Sequence, residues 1–334
     1  MIISKTPYRI SFFGGGSDYP EWYLKNGGEV LSSTIKKYIY ISCRNLPPFF
    51  NHRYRIVYSK IENVKNIKDI NHQAARASLM FFKKHLKHIP GIEIHYDGDL
   101  PAKSGMGSSS SFIVGMLNLL NNYLLRKKIS KEKLTLESIL LEQKILKEVV
   151  GSQDQTIAAH GGFNAIKFYP NGRIQVKPIL KDLNILKDFS SRLFIVFTGI
   201  KRTANYIAKT YVKKLNNSSS KDILEILQHV SIAKNLLNNK NFDDIGLLLS
   251  EAWKIKKSLS NSVSSYKIDE IYNLGIKNGA TGGKLLGAGG GGFILFYVAK
   301  DNQKYFINRM KNFVLIPIEF ESKGSQIIFN DNNS

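Results

Sequence analysis

The first hundred residues have the alternation of apolar and polar side chains that is typical of strands. The segments "SKTPYRISFF", "KKYIYISCRN", "YRIVYSK" and "GIEIHYDGD" alternate or run briefly in apolar residues, as half-buried strands do. One segment differs, because "INHQAARASLMFFKKHLK" (70–87) spaces its apolar residues as a helix does. This part of the chain is therefore predicted to be strand-rich with one helical interruption.

Helical spacing dominates the segments that follow. "FIVGMLNLLNNYLL" is apolar nearly all round and predicts a buried helix, and "SKEKLTLESILLEQKILKEVV" predicts an amphipathic one. Two strands are expected about a turn at 170–172. After the strand "LFIVFTGI", helices are predicted at 203–214, 221–239, 243–260 and 268–277, followed by strand "GGFILFYVA", helix "NQKYFINRMKNF" and strand "VLIPIEF".

A polar connection, "LKDLNILKDFSSR", separates these two regions. We place a domain boundary near residue 185, which predicts an α/β (α+β) protein with a strand-rich domain at 1–185 and an α+β domain at 186–334. The length of 334 residues and the hydrophobic content of 43% are consistent with about two domains.

Charge narrows the choice of partners only slightly. Lys and Arg outnumber Asp and Glu by 48 to 26, for a net charge of +22, which suits nucleic acid, a membrane surface or small polyanions. The basic residues are scattered, and only "FFNHRYRIVYSK" mixes them with aromatics, so we expect solvated faces and no nucleic-acid partner.

No apolar run has membrane-spanning length and no signal peptide is evident, which predicts a cytoplasmic protein. The single cysteine, Cys43, excludes a disulfide within the chain.

The run "LPAKSGMGSSSSF" (100–112) combines two glycines with four serines directly before the buried helix. Glycines permit close backbone approach, and the first turn of a helix presents free N–H groups at its positive end. The run therefore suits a phosphate cradle, although a serine-capped helix after a loose turn would also explain it. It is not a Walker A loop, because no G-x-x-x-x-G-K-[ST] occurs in the chain.

Two further glycine clusters are present, "FFGGGSDY" (12–19) and "LLGAGGGGF" (285–293). The second satisfies G-x-G-x-x-G but precedes a strand instead of opening a helix, which disfavours a dinucleotide site. In the first, a turn at 14–16 lies between the strand residue Arg9 and Asp18, whose carboxylate is a suitable partner for sugar hydroxyls.

Two carboxylates twelve residues apart could serve a phosphate-binding enzyme. Glu142 lies on the amphipathic helix, and Asp154 lies in "GSQDQ" just beyond it. One could hold Mg²⁺, and the other could orient or deprotonate an attacking hydroxyl. The simpler alternatives are a solvated helix glutamate at 142 and a helix cap at 154.

The four motifs together resemble those of the GHMP kinases. "TPYRISFFGGGSDY", P-x-x-x-G-x-G-S-S (101–109), G-x-x-D-Q (151–155) and "GAGGGG" follow the family's order and spacing across nearly the whole chain. The resemblance implies transfer of a phosphoryl group from ATP, with Mg²⁺, to a small-molecule hydroxyl or carboxylate. It also implies a two-domain fold with a ribosomal-protein-like N-terminal domain and a ferredoxin-like C-terminal domain.

Within the family, the chain looks like the heptose 7-phosphate kinases, because Gly15 and Gly16 replace the Glu-His of the galactokinase pattern. This resemblance implies phosphorylation of the anomeric O1 hydroxyl of D-glycero-D-manno-heptose 7-phosphate, giving a 1,7-bisphosphate for nucleotide-activated heptose and surface polysaccharide. Kinases of fucose or galactose would share every motif and remain the alternative. A monomer or homodimer is expected.

The resemblance also assigns residues. Asp154 and Arg9 would be catalytic, and Ser109 and Glu142 would hold the metal. The expected ATP loop consists of Pro101, Lys103, Ser104, Gly105, Met106, Gly107, Ser108, Ser109, Ser110 and Ser111. The expected substrate-binding residues are Gly14, Gly15, Gly16, Ser17, Asp18, Gly287, Gly289 and Gly290, with Arg76 as the candidate for the substrate's own phosphate.

Overall fold

The computed structural model describes residues 1–201, 204–215 and 219–331, which form two sheets covered by helices. The strands in these ranges are β1 (Ile2–Phe13), β2 (Gly28–Asn45), β3 (Tyr54–Val57), β4 (Ile61–Val64), β5 (Ile92–Gly98), β6 (Phe163–Phe168), β7 (Ile174–Leu180), β8 (Leu193–Phe197), β9 (Gly282–Leu285), β10 (Phe293–Tyr297), β11 (Leu315–Pro317) and β12 (Gln326–Asn330). The helices are α1 (Pro20–Asn26), α2 (Gln73–Phe81), α3 (Lys83–Leu86), α4 (Ser108–Leu125), α5 (Lys131–Leu140), α6 (Gln153–His160), α7 (Leu183–Ser190), α8 (Ala204–Tyr211), α9 (Ser220–Asn238), α10 (Phe242–Ser258), α11 (Tyr266–Lys277) and α12 (Gln303–Arg309).

The first sheet is built on the long antiparallel pair of β1 and β2. Its order is β12-β1-β2-β5-β3-β4, and β6 pairs with the first part of β2 and carries β7 at its outer edge. The strands predicted in the first hundred residues are all present. The inward side chains of β1, among them Tyr8, Ile10 and Phe12, are fully buried. One face of this sheet therefore forms one side of the N-terminal core.

Helix α4 is the buried helix that the apolar run predicts, and it packs against β1 and β2. A Cβ atom on Gly115 would lie 2.7 Å from Thr6 Oγ1, so this glycine lets the helix lie close on the sheet. The close packing holds the start of α4, and the loop before it, at one end of the sheet.

Among the described residues, no helix combines the length and the apolar character needed to cross a membrane.

Two predicted helices are interrupted. The helix predicted at 70–87 breaks at Phe82 into α2 and α3. The amphipathic helix predicted at 130–150 stops at Leu140 and continues as one π-helical turn, Leu141–Ile145. A π turn shifts the register of the residues that follow it and is frequent at functional sites. Here it includes Glu142, which is fully buried instead of solvated.

The second sheet has the antiparallel order β11-β8-β10-β9. Numbered within this segment the order is 4-1-3-2, with helices after the first and third strands, which is the ferredoxin-like arrangement. The predicted two-domain α+β class is thereby confirmed. Helix α8 falls within the predicted helix 203–214, of which residue 203 lies outside the described residues.

The end of the chain returns to the first sheet. Strand β12 pairs antiparallel with β1, with Ile2 opposite Asn330 and Lys5 opposite Gln326. Ser325 Oγ lies 2.8 Å from Thr6 Oγ1. The domain division at residue 185 stays a prediction, and the sheet pairing shows that the last described strand crosses it.

Candidate active site

A cavity of about 260 Å³ lies where the loops of the two sheets meet. Each of the four sequence motifs contributes to its lining. The predicted residues that line it are Arg9, Gly15, Gly16, Asp18, Lys103, Gly105, Gly107, Ser108, Ser109, Ser110, Glu142, Asp154, Gly287 and Gly289. Segments separated by almost 280 positions in the chain are therefore brought to one site.

The other predicted residues do not line the cavity: Gly14, Ser17, Pro101, Ser104, Met106, Ser111, Gly290 and Arg76. Several of them stabilise the loops through buried contacts on the side away from the cavity. Met106 and Ser104 are fully buried, Ser111 Oγ donates to Pro7 O at 2.9 Å, and Ser17 Oγ donates to Gly14 O at 2.8 Å. Their contacts hold the shape of the loops without facing the cavity.

Arg76 lies on α2, away from the cavity. Its Nη1 atom donates to Ile70 O at 2.7 Å, a contact that ties α2 to the segment before it. The structure therefore offers no support for Arg76 as a ligand of the substrate's phosphate in this cavity.

The loop before α4 has the geometry of an anion cradle. Gly105 and Gly107 have φ of +77° and +78°, the left-handed region that glycine enters at little cost. Gly107 is the N-cap residue of α4, and no side chain caps the helix. The expectation of a serine cap is therefore wrong, and the amides of the first turn are left for a ligand at the positive end of the helix.

The third glycine cluster packs directly on this loop. A Cβ atom on Gly287 would lie 2.6 Å from Gly105 Cα, and one on Gly292 would lie 2.1 Å from Ser104 O. Phe293 N donates to Ser104 O at 3.2 Å. Main chain contacts main chain here, which only glycine allows. The second sheet therefore supports the loop before α4, which together with the first turn of that helix (101–111) is called the phosphate loop below.

Arg9 connects the loop to Asp154. Its Nε and Nη2 atoms donate to the two carboxylate oxygens of Asp154 at 2.7 and 2.6 Å, and its Nη1 donates to Gly105 O at 2.5 Å. Such a two-pronged pair fixes orientation as well as charge. Arg9 is 6% exposed and Asp154 is 23% exposed, so the carboxylate, at the start of α6, faces the cavity from a buried support.

Asp18 is a second carboxylate in the cavity, with different surroundings. It accepts from Gly16 N at 3.0 Å and Gln153 N at 3.3 Å. A Cβ atom on Gly151 would lie 1.8 Å from its Oδ2, which explains the glycine that opens "GSQDQ". Burial, and then the charge of Asp154, raise the pKa of Asp18 to about 6.

Glu142 is suited to a metal ion. It accepts hydrogen bonds from Ser110 Oγ at 2.7 Å and from Gln155 Nε2. Burial raises its pKa to about 7, although the bond from Ser110 acts in the opposite direction. In the described part of the chain its other oxygen, Oε1, is buried without a partner. An oxygen donor set with one orphaned carboxylate oxygen fits Mg²⁺, which takes few protein ligands when phosphates supply the rest. No group of three or more His, Cys, Asp or Glu among the described residues offers a metal site of its own.

Some lining residues were not found from the sequence. Lys256 and Lys284 reach the cavity from the second sheet and its helices. Tyr19 and Tyr211 also line it, and their hydroxyl oxygens lie 3.3 Å apart. The sequence held a weak signal for Lys284, which precedes the last glycine cluster. Lys256 is one of several lysines in one helix, and nothing local distinguishes it.

Comparison with known proteins agrees with this geometry. The N-terminal domain model of the GHMP kinases matches residues 72–162, and the C-terminal model matches residues 232–313. A D-glycero-alpha-D-manno-heptose 7-phosphate kinase of Campylobacter jejuni is 31% identical over 307 residues, which is 89% of each chain. A bifunctional fucokinase/GDP-fucose pyrophosphorylase of Arabidopsis thaliana is 26% identical over 89% of this chain and 30% of its own length.

A solved structure shares the fold. The crystal structure of a D-glycero-D-manno-heptose 1-phosphate kinase from Bacteroides thetaiotaomicron superimposes with a TM-score of 0.81 over 99% of both chains, at 22% identity. The phosphate loop, the arginine-supported aspartate and the glycine-docked second sheet thus occur in a chain that both domain models and a kinase relative match. On these grounds the protein belongs to the GHMP kinase family and is an ATP-dependent sugar kinase.

Proposed function

We propose that the protein transfers the γ-phosphoryl group of ATP to the anomeric O1 hydroxyl of D-glycero-D-manno-heptose 7-phosphate, giving the 1,7-bisphosphate. The observation that carries this proposal is the Arg9–Asp154 pair, which is hydrogen-bonded to the phosphate loop at Gly105 and lines the same cavity. The choice of sugar rests on the relative of 31% identity that is named for heptose 7-phosphate.

The donor side of the site is the start of α4. The uncapped amides of its first turn, held by Gly105 and Gly107, would bind the phosphates of ATP. Lys103, which is exposed and lines the cavity, adds a positive charge beside them. Backbone donors of this kind are already in place before the substrate arrives, so they stabilise developing charge without reorganising.

The acceptor side is Asp154. Its carboxylate would accept the proton of the attacking hydroxyl, or orient that hydroxyl in line with the γ-phosphorus. Arg9 holds both oxygens and therefore sets the direction in which the carboxylate points. Phosphoryl transfer depends mainly on positioning and electrostatics, which is what this rigid pair supplies.

Ser109 and Glu142 would hold Mg²⁺. The orphaned Oε1 atom of Glu142 and the serine hydroxyl beside it are oxygen donors that suit the ion. When bound, the ion neutralises charge on the β- and γ-phosphates.

Asp18 is the proposed ligand of the sugar hydroxyls. Its place next to Asp154, beside Gly15 and Gly16, puts it on the acceptor side of the cavity. Gly15 and Gly16, which stand where the galactokinase pattern has Glu and His, add no side chain to this part of the lining, and this favours a larger sugar than galactose. A fucose kinase is the second candidate, favoured by the likeness to the plant fucokinase.

A panel of sugars tests the substrate. Heptose 7-phosphate, the free heptose, fucose and galactose would each be incubated with Mg-ATP, and ADP release would be measured. We expect turnover with heptose 7-phosphate and a phosphorus NMR spectrum that places the new phosphate on the anomeric carbon. Turnover with free sugars but not with heptose 7-phosphate would refute this substrate and leave the kinase activity intact.

A further inference from the structure

Two lysines of the second sheet unit line the cavity without an assigned role. Lys284 lies on β9 and is 6% exposed, and Lys256 lies in the last turn of α10. Neither is part of the phosphate loop, the metal ligands or the Arg9–Asp154 pair. A buried lysine is costly unless it is paired, so the presence of Lys284 in the cavity wall, with the half-buried Lys256 also lining the cavity, needs an explanation.

The contacts of the two ammonium groups place them between the donor and acceptor loops. Lys284 Nζ donates to Phe12 O at 2.7 Å, two residues before the glycine loop that leads to Asp18. Lys256 Nζ donates to Leu285 O at 2.9 Å and to Gly287 O. Gly287 in turn contacts Gly105 of the phosphate loop. One lysine is therefore attached to the acceptor side and the other to the donor side.

The described residues supply no acidic partner for either lysine. In the described part of the chain the hydrogen bonds of both ammonium groups go to main-chain carbonyls, and no carboxylate is paired with either. Burial, together with the charge of Arg9, lowers the pKa of Lys284 to about 7. Burial and the charges of Lys284 and Arg9 lower the pKa of Lys256 well below its usual range. By contrast, Lys257 pairs with Asp269 at 3.2 Å.

We propose that Lys256 and Lys284 bind the phosphoryl group while it is transferred from ATP to the sugar. This inference rests on the kinase function proposed above. In the step itself the bond between the γ-phosphorus and the ADP oxygen breaks, the sugar oxygen bonds to that phosphorus, and the hydroxyl proton passes to Asp154. The oxygens of the bound phosphoryl group carry negative charge and therefore favour the protonated form of both amines, and two ammonium groups beside the moving group offset that charge where the two loops meet.

Substitution of each lysine by methionine removes the charge and keeps the length of the side chain. For Lys256→Met and Lys284→Met we expect kcat to fall about 100-fold, the order seen when one preorganised donor is lost, with KM for ATP changed less than about threefold. The matched control is Lys257→Met, next in the same helix, which should keep wild-type kcat. Melting temperatures should stay close to that of the wild type, because the removal of a costly buried amine offsets the loss of its hydrogen bonds to main-chain carbonyls.

Lys284→Gln separates charge from structure, because an amide can still donate to Phe12 O. We expect it to lose as much kcat as Lys284→Met. A parallel fall of kcat and melting temperature in Lys284→Met that is rescued by Lys284→Gln would overturn the proposal, since it would show a purely structural role.

A binding measurement adds a readout besides turnover. ADP with aluminium fluoride mimics the planar phosphoryl group, and its binding can be followed by calorimetry with and without sugar. We expect both methionine variants to bind this mimic about 100-fold more weakly and ADP alone within about threefold of the wild type. Equal binding of the mimic by wild type and variants would overturn the proposal.

Kinetics with the sugar phosphate as the varied substrate distinguish the phosphate that is being transferred from the phosphate already on the sugar. If the variants raise KM for the sugar phosphate only, at unchanged kcat, the lysines hold the substrate's own phosphate and the proposal is wrong. If wild-type protein turns over no sugar at all, the proposed function fails, while the titration without sugar still tests the lysines.

Discussion

Asp154 and Asp18 are two carboxylates of one cavity that their surroundings make different. Both oxygens of Asp154 are bonded to a guanidinium, whereas Asp18 is buried and accepts from main-chain amides. Unlike environments of neighbouring carboxylates point to unlike roles. This division suits a proton acceptor at Asp154 and a sugar ligand at Asp18.

Asp154→Asn should lower kcat by about 10² to 10⁴, the contribution of a positioned general base, while ATP still binds. Steady-state ADP release gives kcat, and calorimetry with ATP gives the affinity. Asp243→Asn is the matched control, since Asp243 also pairs with an arginine, Arg192, but outside the cavity. Near wild-type turnover by Asp154→Asn would exclude a catalytic role for this carboxylate.

Asp18 should make the protein less stable as the pH rises. Its folded pKa of about 6 lies above the ordinary value of 3.8, so the protonated form favours folding. That contribution is complete below about pH 4 and is lost as the pH passes 6. The difference in unfolding free energy between wild type and Asp18→Asn should therefore shift by up to roughly 3 kcal/mol against the wild type between pH 4 and 7.

Denaturant unfolding at several pH values measures this shift. Glu142, whose pKa is raised to about 7, acts in the same direction but is present in both proteins and cancels in the difference. A difference that is flat with pH would contradict the raised pKa of Asp18.

The phosphate loop and the last glycine cluster act as one unit, because their main chains touch at Gly105 and Gly287. Each cluster taken alone is rich in glycine, which permits many backbone conformations. Docked together, they give the start of α4 a defined position relative to the second sheet. The π turn of Leu141–Ile145 does the same for Glu142, which it places beside the serines of α4.

Gly287→Ala should displace the phosphate loop. Gly287 has φ of +71°, and its new Cβ atom would lie 2.6 Å from Gly105 Cα, so both backbone strain and a clash arise. We expect kcat/KM for ATP to fall at least about tenfold. Gly172→Ala is the control, with φ of +81° but nothing within 4 Å. It should cost about 1 to 2 kcal/mol of stability and leave kinetics unchanged; equal kinetic effects of both variants would refute the docking.

The two sheets of the molecule are connected by the strand β12 as well as by the loops around the cavity. The chain leaves the second sheet after β11 and then forms β12, the last described strand, which covers the edge of β1. Since β1 also carries Arg9, the last described strand supports the strand that positions the Arg9–Asp154 pair. Stability of the first sheet should therefore depend on residues near the C-terminus.

Ile327 and Ile328 test this dependence from opposite faces of β12. Ile327 packs on the N-terminal core, while Ile328 is 50% exposed. We expect Ile327→Ala to lower the free energy of unfolding by about 1 to 2 kcal/mol and Ile328→Ala by less than about 0.5 kcal/mol. Chemical denaturation measures both. Equal losses would contradict the packing of this strand on the core.

The four motifs and most strands and helices could be predicted from the sequence because their causes are local. Glycine at positive φ, an apolar helix after a serine run and alternation along a strand depend on near neighbours in the chain. The assignment of Asp154, Arg9, Glu142 and the phosphate loop to one site came from family resemblance in the order of motifs, and the structure places them in one cavity.

Only the tertiary structure decided the features that depend on distant contacts. The burial of Glu142 follows from a π turn packed against α4, and the location of Arg76 away from the cavity follows from the position of α2. Lys256 and Lys284 reach the cavity because the second sheet docks on the phosphate loop through glycines. A sequence pattern records the neighbours of a residue along the chain, whereas the environment of a buried charge is set by segments that folding brings beside it.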